Sequence, residues 1–122
     1  MEINGHWLHV REYGPVHGPT VVLLHHGLGT TRAWRRQAPA LAAAGLHTLV
    51  YDRWGYGQST PRLGLGMPDF KEDQADLLAI LYTKGITQAA LVGHSDGGTI
   101  ALQFSADHPG RVWALVTIAA HI

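Results

Sequence analysis

The chain has 122 residues, of which 46% are hydrophobic and 15% are charged, and its formal net charge is zero. This composition predicts a folded domain with a sizeable core, and it argues against disorder and against nucleic acid as a partner. The sequence has no cysteine, so disulfides, thiolate catalysis and thiolate metal sites are excluded.

The length is that of one domain, which we expect to span residues 1–122. The first residues lack a basic segment followed by an apolar one, so no secretory signal is predicted. No apolar run is long enough to cross a membrane, and we expect a cytoplasmic protein without a membrane partner. The nine histidines are too scattered to form a ligand set, so neither a metal nor a cofactor is expected.

The first half of the chain alternates between apolar runs and an amphipathic stretch. It predicts two short strands within 2–13, a strand at 20–25, a helix between Thr31 and Gly45, and a strand at 46–51. The short strands flank an Asn4-Gly5 turn. Thr31 is the expected N-cap of the helix, and Gly45 the residue that ends it.

The second half continues the alternation after a glycine-rich loop at 52–67. It predicts a helix that begins at an Asp69–Glu72 capping pattern and ends at Gly85, a strand at 89–93, a helix at about 96–108 and a strand at 112–120. Regular alternation of strands and helices indicates βαβ units. The fold class is therefore α/β, with a mostly parallel sheet and helices on both faces.

The segment Gly93-His94-Ser95-Asp96-Gly97 fits the pattern Gly-x-Ser-x-Gly between a predicted strand and a predicted helix. In that context the serine lies at the tip of a tight turn, where side chains two residues before and after it would collide. The amide of Asp96 lies at the start of the helix and can bind a developing oxyanion. The alternative is an ordinary glycine-rich turn that carries an inert serine.

A second oxyanion donor is expected in the loop after the strand at 20–25. His26-Gly27-Leu28-Gly29 occupies this loop, and its glycines let the backbone approach a substrate closely. The amide of Leu28 is the candidate donor, although a simple turn explains the same residues. The side chain of His26 is expected to pack in the loop rather than to act as a base.

Three segments together resemble the N-terminal half of an α/β-hydrolase-fold serine hydrolase. They are His26-Gly27-Leu28-Gly29 with Trp34 beyond it, the loop Asp52–Ser59, and Gly93–Gly98. The resemblance implies that Ser95 is the nucleophile and that the backbone of Leu28 and Asp96 forms the oxyanion hole. It also implies a structural role for the loop at 52–59, near the mouth of the site. The side chain of Asp96 is not expected to be the acid of the triad.

The family order is serine, then acid, then histidine, and this chain departs from it after Ser95. Asp107 and His108 lie at the far end of the helix that follows, about 18 Å away, which is too far for a base. His121 follows a strand at the same end of the sheet and is a weak candidate for the base. The triad acid and histidine are therefore expected to be absent from this chain.

The predicted strand at 112–120 is apolar on both faces, as are strands inside a sheet. An exposed apolar edge is a feature that natural proteins avoid. We expect this edge to be covered by a complementary chain that carries the C-terminal half, or by a second copy in a homodimer. A fragment of a longer gene product is the third explanation.

These observations predict a carboxylesterase-like serine hydrolase that acts on a small-molecule ester, thioester or related acyl bond. The alternative is a catalytically incompetent binding or assembly module with the same half-fold. Hydrolysis of a carbon–carbon bond by Ser95 is a further possibility. A dehalogenase or an epoxide hydrolase is not expected, because those enzymes need a carboxylate where Ser95 stands.

Overall fold

The computed structural model describes residues 1–27, 29–62 and 70–119. Its elements in chain order are β1 (Glu2–Ile3), β2 (His6–Trp7), β3 (Val10–Tyr13), β4 (Thr20–Leu24), α1 (Gln37–Ala43), β5 (His47–Tyr51), α2 (Lys71–Thr83), β6 (Ala89–His94), α3 (Asp96–Asp107) and β7 (Val112–Ile118). Short 3-10 turns occupy Thr31–Trp34 and Pro109–Arg111.

Five strands form one twisted sheet in the order β3-β5-β4-β6-β7. Strand β3 pairs antiparallel with β5, and the other pairs are parallel. A parallel neighbour requires a crossover that carries the chain back to the start of the next strand, and the helices provide these crossovers. The predicted α/β fold with a mostly parallel sheet is confirmed.

The central strands are buried on both faces, as their continuous apolar runs predict. On β4, Val22 and Leu24 pack in one cluster with α2 and α3. Val21 and Leu23 point to the opposite face, into a second cluster that contains Trp34 and residues of α1. Helices therefore cover both faces of the sheet, and burial of these side chains is the main stabilising contribution.

The N-terminal segment differs from the two strands that its sequence predicts. Strands β1 and β2 are only two residues long and pair with each other around Asn4 and Gly5. The following residues form a third strand, β3, which joins the main sheet beside β5. The prediction missed β3 because its partner lies about forty positions further along the chain, as in the pair Val10–Tyr51.

The helix predicted after Thr31 is divided into a 3-10 turn and α1. Thr30, rather than Thr31, is the N-cap of the turn, and its side chain accepts a hydrogen bond from the Arg32 amide. Pro39 explains the division. In a continuous helix Pro39 has no N–H to donate, and its ring would clash with the carbonyl of Arg35. As the third residue of α1, Pro39 needs no intrahelical donor.

Gly45 and Gly85 follow the ends of their helices as predicted. Both glycines have a positive φ, 94° and 68° respectively. The predicted start of α2 is only partly described, because Asp69 lies outside the described residues. The residue that precedes α2 is Phe70, which has a φ of 61° and makes no side-chain cap. The role of Asp69 in the capping pattern therefore stays a prediction.

Candidate active site

Ser95 lies between the last residue of β6 and the first residue of α3, with a φ of 55° and a ψ of −116°. Its amide donates to the Ile118 carbonyl of β7 at 2.7 Å, and its carbonyl accepts from the Thr99 amide at 3.0 Å. The Ser95 side chain makes no cap bond to α3. The backbone is thus fixed by its neighbours at the carboxyl end of the parallel sheet, where ligands of α/β folds bind.

The two glycines that flank Ser95 are required by contacts with different segments. A Cβ on Gly93 would lie 2.5 Å from the amide nitrogen of Gly98, inside the first turn of α3. A Cβ on Gly97 would lie 2.6 Å from the carbonyl carbon of Leu24 and 2.7 Å from the oxygen of His25. The sequence predicted a collision around the turn itself. The structure shows that Gly97 instead lets α3 approach the end of β4.

Asp96 begins α3, where amide hydrogens are not used within the helix. Its carboxylate turns toward the loop after β4, where a Cβ on Gly27 would overlap its Oδ2 atom. The same oxygen lies 3.9 Å from Nη2 of Arg53. The side chain therefore lies between the loop and a buried cation.

Two predicted site residues, Leu28 and His121, lie outside the described residues, and their roles stay predictions. On either side of Leu28, Gly27 and Gly29 border the site, and the Gly29 amide donates to the His26 carbonyl at 2.9 Å. A Cβ on Gly29 would lie 3.1 Å from the His26 ring, which also meets the His94 ring edge to face at 5.1 Å. His26 is packed in the loop, as expected.

His25 is fully buried, and both of its ring nitrogens have partners. Nδ1–H donates to the His26 carbonyl at 2.7 Å, and Nε2 accepts from the Arg53 amide at 2.9 Å. Because Nε2 is an acceptor, this arrangement requires the neutral ring. Burial, the largest cause, lowers the pKa of His25 to about 4. His25 is therefore a structural link between β4 and the loop after β5, and it has no free nitrogen for proton transfer.

Asp107 and His108 lie at the far end of α3, which is 12 residues long. With a rise of about 1.5 Å per residue, they lie roughly 18 Å from Ser95, as the sequence predicts. The His108 ring packs against Phe104 with ring centres 4.7 Å apart. Neither residue can serve Ser95 from this position.

Asp52 organises the glycine-rich loop after β5. Its Oδ1 accepts from the Thr31 amide at 2.7 Å, and its Oδ2 accepts from the Gln58 amide at 2.9 Å. The Ser59 hydroxyl donates to the Asp52 carbonyl, and a Cβ on Gly57 would lie 2.9 Å from Oδ1. These contacts connect the loop to the segment that follows the candidate oxyanion loop.

Arg53 is a residue near the site that the sequence analysis did not single out. Its side chain is 2% exposed, and Nη1 lies 3.6 Å from Oδ1 of Asp73, which is also buried. Within the described part of the chain, Nε and Nη2 of Arg53 make no hydrogen bond. Burial, the largest cause, raises the pKa of Asp73, and the nearby arginines oppose it. The one sequence signal was a charged pair, Asp52-Arg53, directly after a buried strand.

A second polar network lies at the opposite, amino end of the parallel strands. Nδ1 of His47 lies 3.1 Å from the Thr20 hydroxyl, and its Nε2 lies 2.8 Å from Oε2 of Glu12, which also binds Lys84. The hydrogen bond from Lys84, the largest cause, lowers the pKa of Glu12. These residues line a groove of about 810 Å³. The network joins β3, β4, β5 and the end of α2.

Within the described ranges, no group of three or more histidine, aspartate or glutamate side chains is placed to hold a metal ion. The helices in those ranges are all too short or too polar to cross a membrane.

Comparison with known proteins agrees with this geometry. The profile of the alpha/beta hydrolase fold family matches residues 20–122. The chain therefore belongs to the α/β-hydrolase-fold family. It is 38% identical over 102 residues to epoxide hydrolase B of Mycobacterium tuberculosis, and this match covers 84% of the chain and 29% of the relative.

Two further relatives extend the comparison. A protein of Variovorax paradoxus provisionally named carbamate hydrolase RutD is 38% identical over 114 residues, which cover 93% of this chain and 42% of that protein. The solved structure of epoxide hydrolase A from Mycobacterium thermoresistibile superposes on this chain with a TM-score of 0.89 and is 34% identical in sequence. The match covers 96% of this chain and 37% of the epoxide hydrolase chain. The chain thus spans less than half the length of these relatives, a smaller share than the half that the sequence suggested.

Proposed function

We propose that the chain provides the nucleophile of a serine hydrolase that cleaves ester, thioester or related acyl bonds. The observation that carries this proposal is the position of Ser95, which has a strained backbone at a strand-to-helix turn and lies at the ligand-binding end of the sheet. Strain of this kind is concentrated at functional sites. Membership of the α/β-hydrolase-fold family supports the general class, and the serine supports the acyl chemistry.

In the proposed reaction, Ser95 Oγ forms a bond to the carbonyl carbon while its proton passes to a histidine base. The carbonyl electron pair moves onto its oxygen, which the amides of Asp96 and Leu28 would hold. The leaving group then departs with the proton, and a water molecule releases the acid and restores the serine. Leu28 enters this scheme as a prediction from its sequence context.

We propose that the base and the acid of the triad come from sequence outside residues 1–122. This is supported by the fixed, acceptor role of His25 and by the distance of His108 from Ser95. His121 stays a weaker candidate for the base. Without its base the nucleophile loses most of its rate, although the rest of the site can retain about 10³ to 10⁴ over water.

The proposal is tested with a p-nitrophenyl ester and a fluorophosphonate probe. We expect covalent labelling at Ser95 in the protein produced with all of its coding sequence, and loss of both labelling and hydrolysis in Ser95→Ala. Ser105→Ala is the matched control, because that hydroxyl donates to the Ala101 carbonyl at 2.7 Å within α3. A protein that binds ligands but never reacts with the probe would instead be a binding module.

The location of the base has its own test. Residues 1–122 alone are expected to hydrolyse the ester slowly. A rate typical of competent esterases in that chain, lost in Ser95→Ala and kept in His121→Ala, would contradict the proposal that the base lies elsewhere.

Epoxide opening is a second candidate, because two of the relatives above are named epoxide hydrolases. A carboxylate nucleophile opens an epoxide to an ester, which water can hydrolyse, whereas a serine would form an ether, which it cannot. We therefore expect no turnover of styrene oxide under conditions that allow ester hydrolysis. Turnover of styrene oxide that persists in Ser95→Ala would favour the second candidate.

We also propose a partner for the edge of the sheet formed by β7. Four large apolar side chains on this strand are exposed, between 37% and 52%: Trp113, Leu115, Val116 and Ile118. A polypeptide that carries the base would cover them and complete the site. Native mass spectrometry of the protein purified from its source checks this, since a homodimer of the 13.2 kDa chain would contradict it.

A further inference from the structure

The guanidinium of Arg53 is a buried charge close to Asp96, the residue that follows Ser95. It lies between two carboxylates, 3.6 Å from Asp73 on α2 and 3.9 Å from Asp96 at the start of α3. The ring of Tyr56 covers it, with the guanidinium carbon 4.6 Å from the ring centre. A charge buried in this way is unfavourable unless opposite charges compensate it.

Both ends of Arg53 act on the loop after β4. The guanidinium contacts Oδ2 of Asp96, the atom that occupies the space where Gly27 would carry a side chain. The backbone amide of Arg53 donates to His25, which in turn donates to the His26 carbonyl. The loop that carries the candidate oxyanion donor is therefore joined to Arg53 by hydrogen bonds through His25, and the Asp96 carboxylate lies beside both.

The charge of Asp96 also matters for the proposed reaction. Its carboxylate belongs to the same residue as one of the oxyanion donors, so its negative charge opposes a negative charge developing nearby. A cation close to the carboxylate reduces this repulsion. The guanidinium of Arg53, 3.9 Å from Oδ2 of Asp96, is a cation beside this carboxylate.

We infer that Arg53 is a positioning residue, which holds the Asp96 carboxylate against Gly27 and offsets its charge beside the nascent oxyanion. The inference rests on the proposed function of Ser95. It places Arg53 outside direct contact with substrate and makes its effect depend on Asp96. Removing the charge of Asp96 should therefore relieve part of the defect caused by losing Arg53.

The test measures covalent labelling of Ser95 by a fluorophosphonate in the protein expressed with all of its coding sequence. Arg53→Met is expected to lower the maximal labelling rate about tenfold or more at an unchanged probe dissociation constant, because alignment rather than binding is lost. Asp96→Asn in the Arg53→Met background should recover part of that rate. Arg53→Lys, which keeps the charge, should label faster than Arg53→Met and slower than the wild type.

Arg62→Met is the matched control. Arg62 lies 3.6 Å from the other carboxylate oxygen of Asp73, and 30% of its side chain is exposed. Within the described residues it forms ion pairs with Glu72 and Asp73 and not with Asp96. We expect this variant to label at the wild-type rate. Equal slowing in both arginine variants would assign the effect to Asp73 and α2, and would overturn the inference.

Other outcomes are equally decisive. If folded Arg53→Met labels at the wild-type rate and only its unfolding midpoint falls, the residue is merely structural. If Arg53→Met does not fold, a wild-type labelling rate in Arg53→Gln, which also lacks the charge, overturns the inference. If the wild type itself is never labelled, the proposed function fails. The unfolding midpoints of the Arg53 and Asp96 single and double variants then still test the contact between the two residues, because additive shifts would contradict an interaction between them.

Discussion

At the scale of the residue, Ser95 concentrates the conformational strain of the site. Its positive φ with a negative ψ is a combination that residues with a Cβ rarely adopt, and it costs about 1 to 3 kcal/mol. The hydrogen bonds to Ile118 and Thr99 hold the residue in place. Because α3 lies close to β4 at Gly97, the turn cannot shift to a less strained conformation. The site therefore depends on glycine as much as on serine.

Gly97→Ala should lower the free energy of unfolding by about 2 to 3 kcal/mol, because the added methyl group meets the rigid backbone of Leu24 and His25. Gly110→Ala is the matched control, since a Cβ at Gly110 meets nothing within 4 Å and its φ is not positive. That variant should stay within about 0.5 kcal/mol of the wild type. Chemical denaturation measures both, and equal losses in the two variants would contradict the packing explanation.

His25 should make stability depend on pH. The pKa of this residue is about 4 in the folded protein, against an ordinary value of 6.5, so between these values the unfolded chain binds a proton that the folded one excludes. As the pH falls from about 6.5 to about 4, this residue alone should remove up to about 3 kcal/mol of stability. The loss stops below about pH 4, where the folded ring is protonated as well.

The measurement compares unfolding free energies of the wild type and His25→Gln across that range, so that contributions from other groups cancel. His25→Gln should be less stable at pH 7 and show a flatter pH dependence below 6.5. His17→Gln, in an exposed loop, is the control and should keep the wild-type slope. The same slope in all three proteins would show that His25 does not titrate as described.

At the scale of the element, the N-terminal hairpin of β1 and β2 is fixed to α2 by one carboxylate. Asp76 accepts from Asn4 at 3.0 Å and from Nε2 of His6 at 2.7 Å. The His6 ring also stacks on Trp54, with centres 4.1 Å apart. Because hydrogen bonds to a buried charged group are among the stronger ones, this contact orients the hairpin.

Asp76→Ala should cost about 2 to 4 kcal/mol, since it leaves two donors, one of them buried, without their acceptor. Asp107→Ala, at the exposed end of α3, is the matched control and should change stability by less than about 0.5 kcal/mol. Urea denaturation provides the comparison. A similar small effect in both variants would mean that the hairpin is held by apolar packing instead.

The elements that the sequence predicts well are those whose signal is local. The apolar runs of β4, β5 and β6 indicate the strands within a residue or two, and the glycine spacing around Ser95 indicates the turn. The division of the first helix was missed although Pro39 is a local signal. The contacts of Arg53 and of Asp76 could not be predicted, because they join elements that meet only in the folded sheet. His6 and Asp76, for instance, are 70 residues apart.

At the scale of the whole molecule, the two edges of the sheet are unlike. Strand β3 at one edge is short and pairs antiparallel, whereas β7 at the other is seven residues long and exposes large apolar side chains. A long apolar edge is a template for further strand pairing. The position of β7 at the edge is therefore the feature that most affects how these 122 residues behave alone.

Residues 1–122 should self-associate as their concentration rises, and Val116→Lys should reduce this association, because a charge on an edge strand opposes pairing. Val116 is 52% exposed. Tyr82→Lys is the matched control, since Tyr82 is 79% exposed and lies on α2 rather than on β7. Sedimentation velocity measures the outcome. Equal association in both variants would locate the contact elsewhere.

The hydrogen bond from the Ser95 amide to Ile118 has a consequence for how the sheet edge can be observed. In deuterated water, this amide exchanges its hydrogen only when the bond opens, so its exchange rate records how often the end of β7 separates from the nucleophile turn. A strand that binds β7 from outside would slow this exchange without touching Ser95. The exchange rate of the Ser95 amide therefore reports whether a strand is bound at the edge formed by β7.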